Sequence, residues 1–181
     1  MTTDDELRRM TIGEPRRHDA PIALVEYDPA WPLLYAREAE KVRTALGDRV
    51  VLLEHTGSTS VPGLAAKPII DMTLAVADTT AEGDYVPLLE AAGYVLRIRE
   101  PDWYEHRMLR GTDPEVNLHV FSTGCEEIGR MLRFRDRLRS SPEDRALYLA
   151  RKRELATRTW RYTQNYADAK SAVVAEILAR G

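Results

Sequence analysis

The sequence predicts an α+β domain built on one core, and three observations carry that prediction. Short apolar runs with a period of two occupy the chain between about residues 50 and 121, interrupted by a single helical stretch. Everything after Cys125 has helical periodicity instead. No repeat, low-complexity tract or linker divides the 181 residues, a length that suits one core of about 100–200 residues. Strands followed by a run of helices argue for a mixed sheet of about five strands, flanking helices and a C-terminal helical cap.

The elements follow in order. Residues 1–20 alternate in charge without an apolar period and read as a flexible lead-in, so the folded domain spans 21–181. "YDPAWP" is turn chemistry, and Pro32 sits in the first turn of a helix that runs to Leu46 and stops at Gly47. Val50–Glu54 reads as a strand, and Ile69–Val76 as a second. Period-two alternation in the second puts Ile69, Asp71, Thr73 and Ala75 on one face and Ile70, Met72, Leu74 and Val76 on the other. Thr79–Ala92 reads as a helix ended by Gly93. Three strands follow, Tyr94–Ile98, Trp103–Arg110 and Val116–Phe121, the last two joined by the turn "GTDP". Helices are expected over Glu126–Arg139, Pro142–Thr157 and Tyr162–Arg180. Ser141, Pro142 and Asp144 start the middle one as cap, first residue and a capping-box-like acid.

Composition narrows the functional classes. Apolar residues make up 44% and charged residues 30%, the balance of a globular protein. No apolar run reaches the roughly 20 residues that span a bilayer, and "MTTDDELRRM" lacks the basic start and apolar stretch of a secretory signal, so a cytoplasmic location and no membrane partner are expected. The single cysteine, Cys125, excludes an internal disulfide and reads as an idle thiol. Net charge is −3, yet Arg130–Arg161 holds eleven basic and four acidic residues. Such a block suits a local anionic partner, a phosphate ligand or nucleic acid.

The stretch "EHTGSTSVPGLAAKPIIDMTLAV", Glu54–Val76, concentrates the local irregularity. A strand ends, Gly57-Ser58 lets the backbone come close to something, and Ser58 or Ser60 starts a short helical turn with free N–H groups. Backbone donors beside serine hydroxyls form a cradle for phosphate oxygens. Gly57, Ser58 and Ser60 are therefore candidate phosphate ligands, with Lys67 of the same stretch beside them, and Asp71 follows on the next strand.

This stretch is similar to the signature of the GrpB-like family, a group with the nucleotidyltransferase fold of the polymerase-beta type. The resemblance runs from "YDPAWP" through "VNLHVF" and "FRDRLRSSPEDRALYLARKRELA" to "YADAKSAVV", leaving out only the first 20 or so residues. It implies that Gly57 and Ser58 hold nucleotide phosphates and that Asp71 is a catalytic carboxylate holding Mg²⁺. Two carboxylates two residues apart clamp the metal pair in an active nucleotidyltransferase. Here Thr73 stands in the second position, and "VNLHV" offers Asn117 and His119 where a third acid is expected. A hydroxyl is a poor magnesium ligand beside a carboxylate, so support for Mg²⁺ is weak, with Glu54 or Glu105 as further oxygen sources. His119 reads either as a packed strand residue or as a metal ligand or general base, and His55 likewise. Similar domains are attached to dephospho-CoA kinase in some bacteria, which implies an auxiliary role in coenzyme A metabolism.

The C-terminal helices add an argument that needs no family. Arg135 falls on the apolar stripe of Ile128, Met131, Leu132 and Leu138. Lys152 shares a face with Tyr148 and Leu155, and Lys170 lies among Tyr166, Val173 and Ile177. An unpaired cation indoors costs several kcal/mol, so it snorkels, meets an acid or faces an anion. Three on consecutive helices point to one cationic cleft, which His106, Arg107 and Arg110 extend. The expected ligand is a nucleotide or other phosphorylated small molecule, either undergoing nucleotidyl or phosphoryl transfer or bound without turnover, with nucleic acid as a further partner class.

Overall fold

A computed structural model describes residues 1–180. Helix α1 (Asp4–Met10) comes first, where the charge pattern suggests a flexible lead-in. A reciprocal capping box between Thr3 and Glu6 starts it and one buried side chain, Leu7, anchors it. The following segment ties down through Ile12 N–H to the Arg97 carbonyl at 2.8 Å. A single anchor leaves no period to read, which is why the alternating charges conceal it.

Helix α2 (Trp31–Leu46) has Pro32 in its first turn and ends at Gly47, where φ is +54°. It buries Ala39, Val42 and Leu46. Strands β1 (Leu52–Thr56) and β2 (Ile70–Val76) follow, β1 starting two residues later than expected because Gly47–Arg49 forms a single helical turn. The next helix is only α3 (Val86–Ala91). Asp78 accepts from the backbone and hydroxyl of Thr80, and Ser122 receives the Thr79 N–H, so this segment is held as a turn and not a helix.

Strands β3 (Val95–Glu100), β4 (His106–Thr112) and β5 (Glu115–Ser122) complete the sheet. Trp103 lies outside β4, because Tyr104 and Glu105 take φ of +55° and +50° and turn the chain first. Helices α4 (Glu126–Ser140) and α5 (Pro142–Ala156) match the expected pair, with the Ser141 hydroxyl accepting from Asp144 N–H. The expected last helix is divided into α6 (Thr163–Asp168) and α7 (Ser171–Leu178), with Lys170 at the junction as the cap of α7.

The sheet has the order β1-β2-β5-β4-β3, with β2 and β5 parallel and all other pairs antiparallel. It is a five-stranded mixed sheet, and the architecture is α+β as expected. One face carries Ile70, Met72, Leu74 and Val76 with Val116, Leu118 and Val120, buried with α2 and α3 residues in the main core. The other face carries Asp71, Thr73 and Ala75 level with Asn117, His119 and Phe121. At one end of this second face, Ala75 and Phe121 pack with Ile128 and Met131 of α4. At the other end the face stays polar. No helix among the described residues is long and apolar enough to cross a membrane.

Candidate functional site

The site grows from the parallel pairing of β2 and β5. Register sets Asp71 beside Asn117 and Thr73 beside His119. Asn117 Nδ2 donates to Asp71 Oδ1 at 2.9 Å, and His119 Nε2 stands 4.0 Å from the same oxygen. Both side chains keep contact with solvent, Asp71 at 30% and His119 at 25% exposure, so this end of the face is open to a ligand.

Gly57 lies directly on Asp71. A Cβ at Gly57 would meet Asp71 Oδ2 at 2.3 Å, and its φ of +65° with ψ of −172° is a conformation essentially restricted to glycine. The glycine is thus required both by the backbone and by the carboxylate beneath it. Ser58 follows in a one-turn helix, Ser58–Ser60. The Ser60 hydroxyl donates to the Gly57 carbonyl at 2.6 Å and is buried. It closes the turn, so its hydroxyl is not free for a phosphate, contrary to the sequence expectation.

Three lysines converge on this place. Lys152 is buried and donates to the Ala65 carbonyl at 2.6 Å. Lys67 Nζ and Lys170 Nζ both approach the Tyr166 ring, 5.7 Å and 4.7 Å from its centroid, and Lys152 Nζ lies 5.5 Å from that of Tyr148. Burial pulls Lys152 down to about 7, with Lys170 pushing the same way, Asp71 opposing and Lys67 adding to the fall. Burial also lowers Lys67, as does Lys170; burial lowers Lys170, against the pull of Asp71. Among the described residues none of the three has a carboxylate within ion-pair distance. The Tyr166 hydroxyl is buried without a partner. Burial raises the Tyr148 phenol to about 12, and the Ser58 hydroxyl pulls the other way. The three lysines therefore feel only distant carboxylates, Asp71 on all three and Glu115 on Lys67, an arrangement short of negative charge.

A second array enters from the side. Glu100 Oε2 lies 2.7 Å from His106 Nδ1, and His106 Nε2 lies 3.0 Å from His119 Nδ1. With Glu100 ionised, His106 Nδ1–H donates to it, and His106 Nε2 then accepts from His119 Nδ1–H. That leaves the His119 Nε2 lone pair on the Asp71 side. Burial brings His119 down to about 4, with His106 adding to the fall, so the ring is neutral at neutral pH. Trp103 packs T-shaped against His106 at 5.1 Å and against Phe121 at 5.7 Å. Sequence reading places His106 only in a positive lining. Its signal was the hairpin register, which sets Met108 opposite His119 and so brings His106 within diagonal reach.

Two expected ligands lie elsewhere. Arg107 pairs with Val120 and therefore emerges on the core face. There it donates to Glu82 Oε1 at 2.6 Å and to Glu105, one residue out of phase with His106 and Arg110. We expect Arg107→Met to lower the unfolding free energy in urea by about 1–3 kcal/mol while leaving phosphate affinity unchanged. Arg135 holds Glu54 Oε2 at 2.7 Å, Asp136 at 2.8 Å and the His55 carbonyl at 3.0 Å. It escapes the cleft by meeting acids. Most of the basic block does the same: Arg130 pairs with Glu127, Arg137 with Asp144, Arg151 and Arg158 with Glu154, Arg153 with Glu26 and Arg161 with Asp4.

The donor set suits an anion better than Mg²⁺. One oxygen of Asp71 takes the Asn117 amide and the other lies under Gly57. Thr73 is buried, its hydroxyl shared with Thr56 at 2.9 Å. Glu54 and Glu105 are held by Arg135 and Arg107. Among the described residues no three His, Cys, Asp or Glu side chains gather to hold a metal, and three ammonium groups oppose a cation. These residues do not fit the ion.

Comparison with known proteins agrees with this architecture. A UPF0157 protein of Halalkalibacterium halodurans is 57% identical over 178 residues, covering 98% of this chain and 91% of that protein. The crystal structure of the conserved protein GrpB from Enterococcus faecalis superposes with a TM-score of 0.75 at 31% identity, covering 87% of this chain and 98% of that one. A dephospho-CoA kinase of Mycolicibacterium paratuberculosis is 33% identical over 165 residues, 77% of this chain but 40% of that protein. The family model described as GrpB protein matches residues 21–180, and the chain belongs to that family.

Proposed function

We propose that the chain binds a nucleotide or other phosphorylated small molecule, its phosphate lying in the recess between the Gly57–Ser58 turn and Lys67, Lys152 and Lys170. The observation that carries this reading is the trio of Lys67 and Lys170 at the Tyr166 ring and buried Lys152 at Tyr148, none of them ion-paired among the described residues. A phosphate dianion would supply the missing charge. The pairing of most arginines on the C-terminal helices with acids favours a small ligand over a nucleic-acid face. The partial likeness to a dephospho-CoA kinase supports a phosphorylated metabolite and an auxiliary role in coenzyme A metabolism, and makes dephospho-CoA a useful probe beside ATP.

The Glu100–His106–His119 array favours transfer over passive binding. In that reaction His119 Nε2 takes the proton of an acceptor hydroxyl, the hydroxyl oxygen bonds to phosphorus, and the bond from phosphorus to the leaving oxygen breaks with its electron pair. Asp71 opposes the lysine charges from beyond ion-pair distance, and the bond to His106 orients His119. Calorimetric titration with ATP and with dephospho-CoA, joined to a turnover assay with labelled ATP, tests both parts. Lys170→Ala is expected to weaken binding at least ~10-fold, and His119→Asn to keep binding and abolish turnover. Binding unchanged in Lys170→Ala would refute the recess, and turnover unchanged in His119→Asn would refute the base.

A further inference from the structure

Where α2, β1, α4 and α5 meet lies a hollow of about 420 Å³, within the ~300–1,000 Å³ typical of small-molecule sites. Neither Asp71 nor any of the three lysines lines it. It is a separate feature beside β1, the free edge of the sheet.

Its walls are of two kinds. Tyr35, Pro32 and Pro62 give stiff apolar surface. The Tyr35 ring stacks on His55 with centroids 4.6 Å apart and planes at 7°, and its hydroxyl donates to the Leu53 carbonyl at 3.1 Å. Such walls lose little entropy when a ligand ring lies against them. Facing them are Arg135, Arg139 and Arg145. Arg135 is satisfied by Glu54 and Asp136. The other two are not. Arg139 donates through Nε to the Ser60 carbonyl at 3.0 Å, and among the described residues the one carboxylate within ion-pair distance is Asp136 at 3.7 Å, already held by Arg135. Arg145 uses Nη1 for the Leu138 and Arg139 carbonyls, at 3.3 and 3.5 Å, and pairs with no carboxylate among the described residues. Burial, then the neighbouring Arg135, lowers the Arg139 guanidinium from its usual value. Burial takes His55 to about 4, so the ring is neutral and adds no charge.

We infer that this hollow is a second ligand site, for a small molecule that joins a planar ring to one phosphate group. The ring lies against Tyr35 and the two prolines, and the phosphate takes the unused guanidinium edges of Arg139 and Arg145. Planar guanidinium forks match phosphate oxygens in pairs, and two under-compensated guanidiniums call for a dianion and not a carboxylate. The inference stands on residues that the lysine recess does not use, so either site can exist without the other.

AMP is the probe, titrated at low salt into the full ¹⁵N-labelled chain and followed by NMR. The Arg139 and Arg145 Nε–H signals are expected to shift and saturate. Adenosine alone and inorganic phosphate alone are expected to bind at least ~10-fold more weakly at those signals. Arg139→Gln, which keeps a donor for the Ser60 carbonyl, and Arg145→Lys, which keeps charge but loses the fork, should each weaken the response at least ~10-fold. The Lys170 amide reports the recess separately in the same spectra and should respond in both variants as in the parent. Arginine signals unmoved by millimolar AMP, equal shifts with inorganic phosphate alone, or wild-type titrations in both variants would overturn the assignment.

Discussion

Lys152→Met is expected to give a protein that resists heat better than the parent yet holds phosphate more weakly. Lys152 is 2% exposed, and among the described residues its one hydrogen bond goes to the Ala65 carbonyl. Methionine has similar length and no charge. Removing a buried, unpaired ammonium group stabilises by about 1–4 kcal/mol, and the unsatisfied carbonyl left behind costs about 1–3 kcal/mol. At mid-range the net is about 0.5 kcal/mol of added stability, or ~1–2 °C in Tm for a chain of this size. Phosphate affinity should fall at least ~10-fold in the same variant. The pairing of the two changes is diagnostic: a lysine kept for packing would show a loss of stability and no change in binding. Calorimetric unfolding and a phosphate titration on one preparation check both.

Gly57→Ala should produce the opposite effect on stability. The glycine's φ of +65° and ψ of −172° cost any other residue about 1–3 kcal/mol. The new methyl group would also meet Asp71 Oδ2 at 2.3 Å, so the carboxylate or the turn must move. The Asn117–Asp71 hydrogen bond at 2.9 Å and the opposing charge for the three lysines move with it. We expect a stability loss of about 2–4 kcal/mol together with loss of measurable phosphate binding. Gly63→Ala serves as the control, since it also has positive φ, at +77°, but meets nothing within 4 Å. It should show the backbone cost alone, with binding intact. Chemical denaturation of the two variants separates strain from contact.

The sequence made the local parts of this account legible. The Gly57–Ser58 bend, the Asp71 strand and the capped start of α5 each depend on neighbours within a few residues. Period-two alternation likewise placed Asp71 and Thr73 on one face and Met72 and Leu74 on the other. The misplacements came from tertiary register. Proximity in the chain groups Arg107 with His106 and Arg110, whereas alternation along β4 turns it to the core face. Arg135 carries the same helical signature as Lys152, and only the fold shows that Glu54 lies within 2.7 Å of it. The break between α6 and α7 falls at Ala169 and Lys170, good helix formers with no glycine or proline at the junction. The Lys170 N–H bonds back to Ala167 at 3.1 Å, a tightened turn at the junction. The Glu100–His106–His119 array joins side chains of three strands, and no spacing in the chain announces it.

The proposed phosphate site depends on the charge state of Lys152, which is buried beside Lys67 and Lys170 without an ion pair among the described residues. Burial places Lys152 at about 7 against 10.5 when unfolded, so the unfolded chain binds more protons between those values. Stability should therefore rise with pH from about 7 to 10.5 and lose this contribution as pH falls through 7. A bound phosphate favours the charged ammonium and should move the folded value upward. Selective ¹³C labelling of the lysine ε-carbons, with an NMR pH titration run with and without inorganic phosphate, reads this directly. The account predicts one lysine titrating near 7 in the free protein, absent from Lys152→Met, and shifted upward by phosphate. A Lys152 signal with an ordinary value near 10.5 that phosphate leaves unmoved would contradict it.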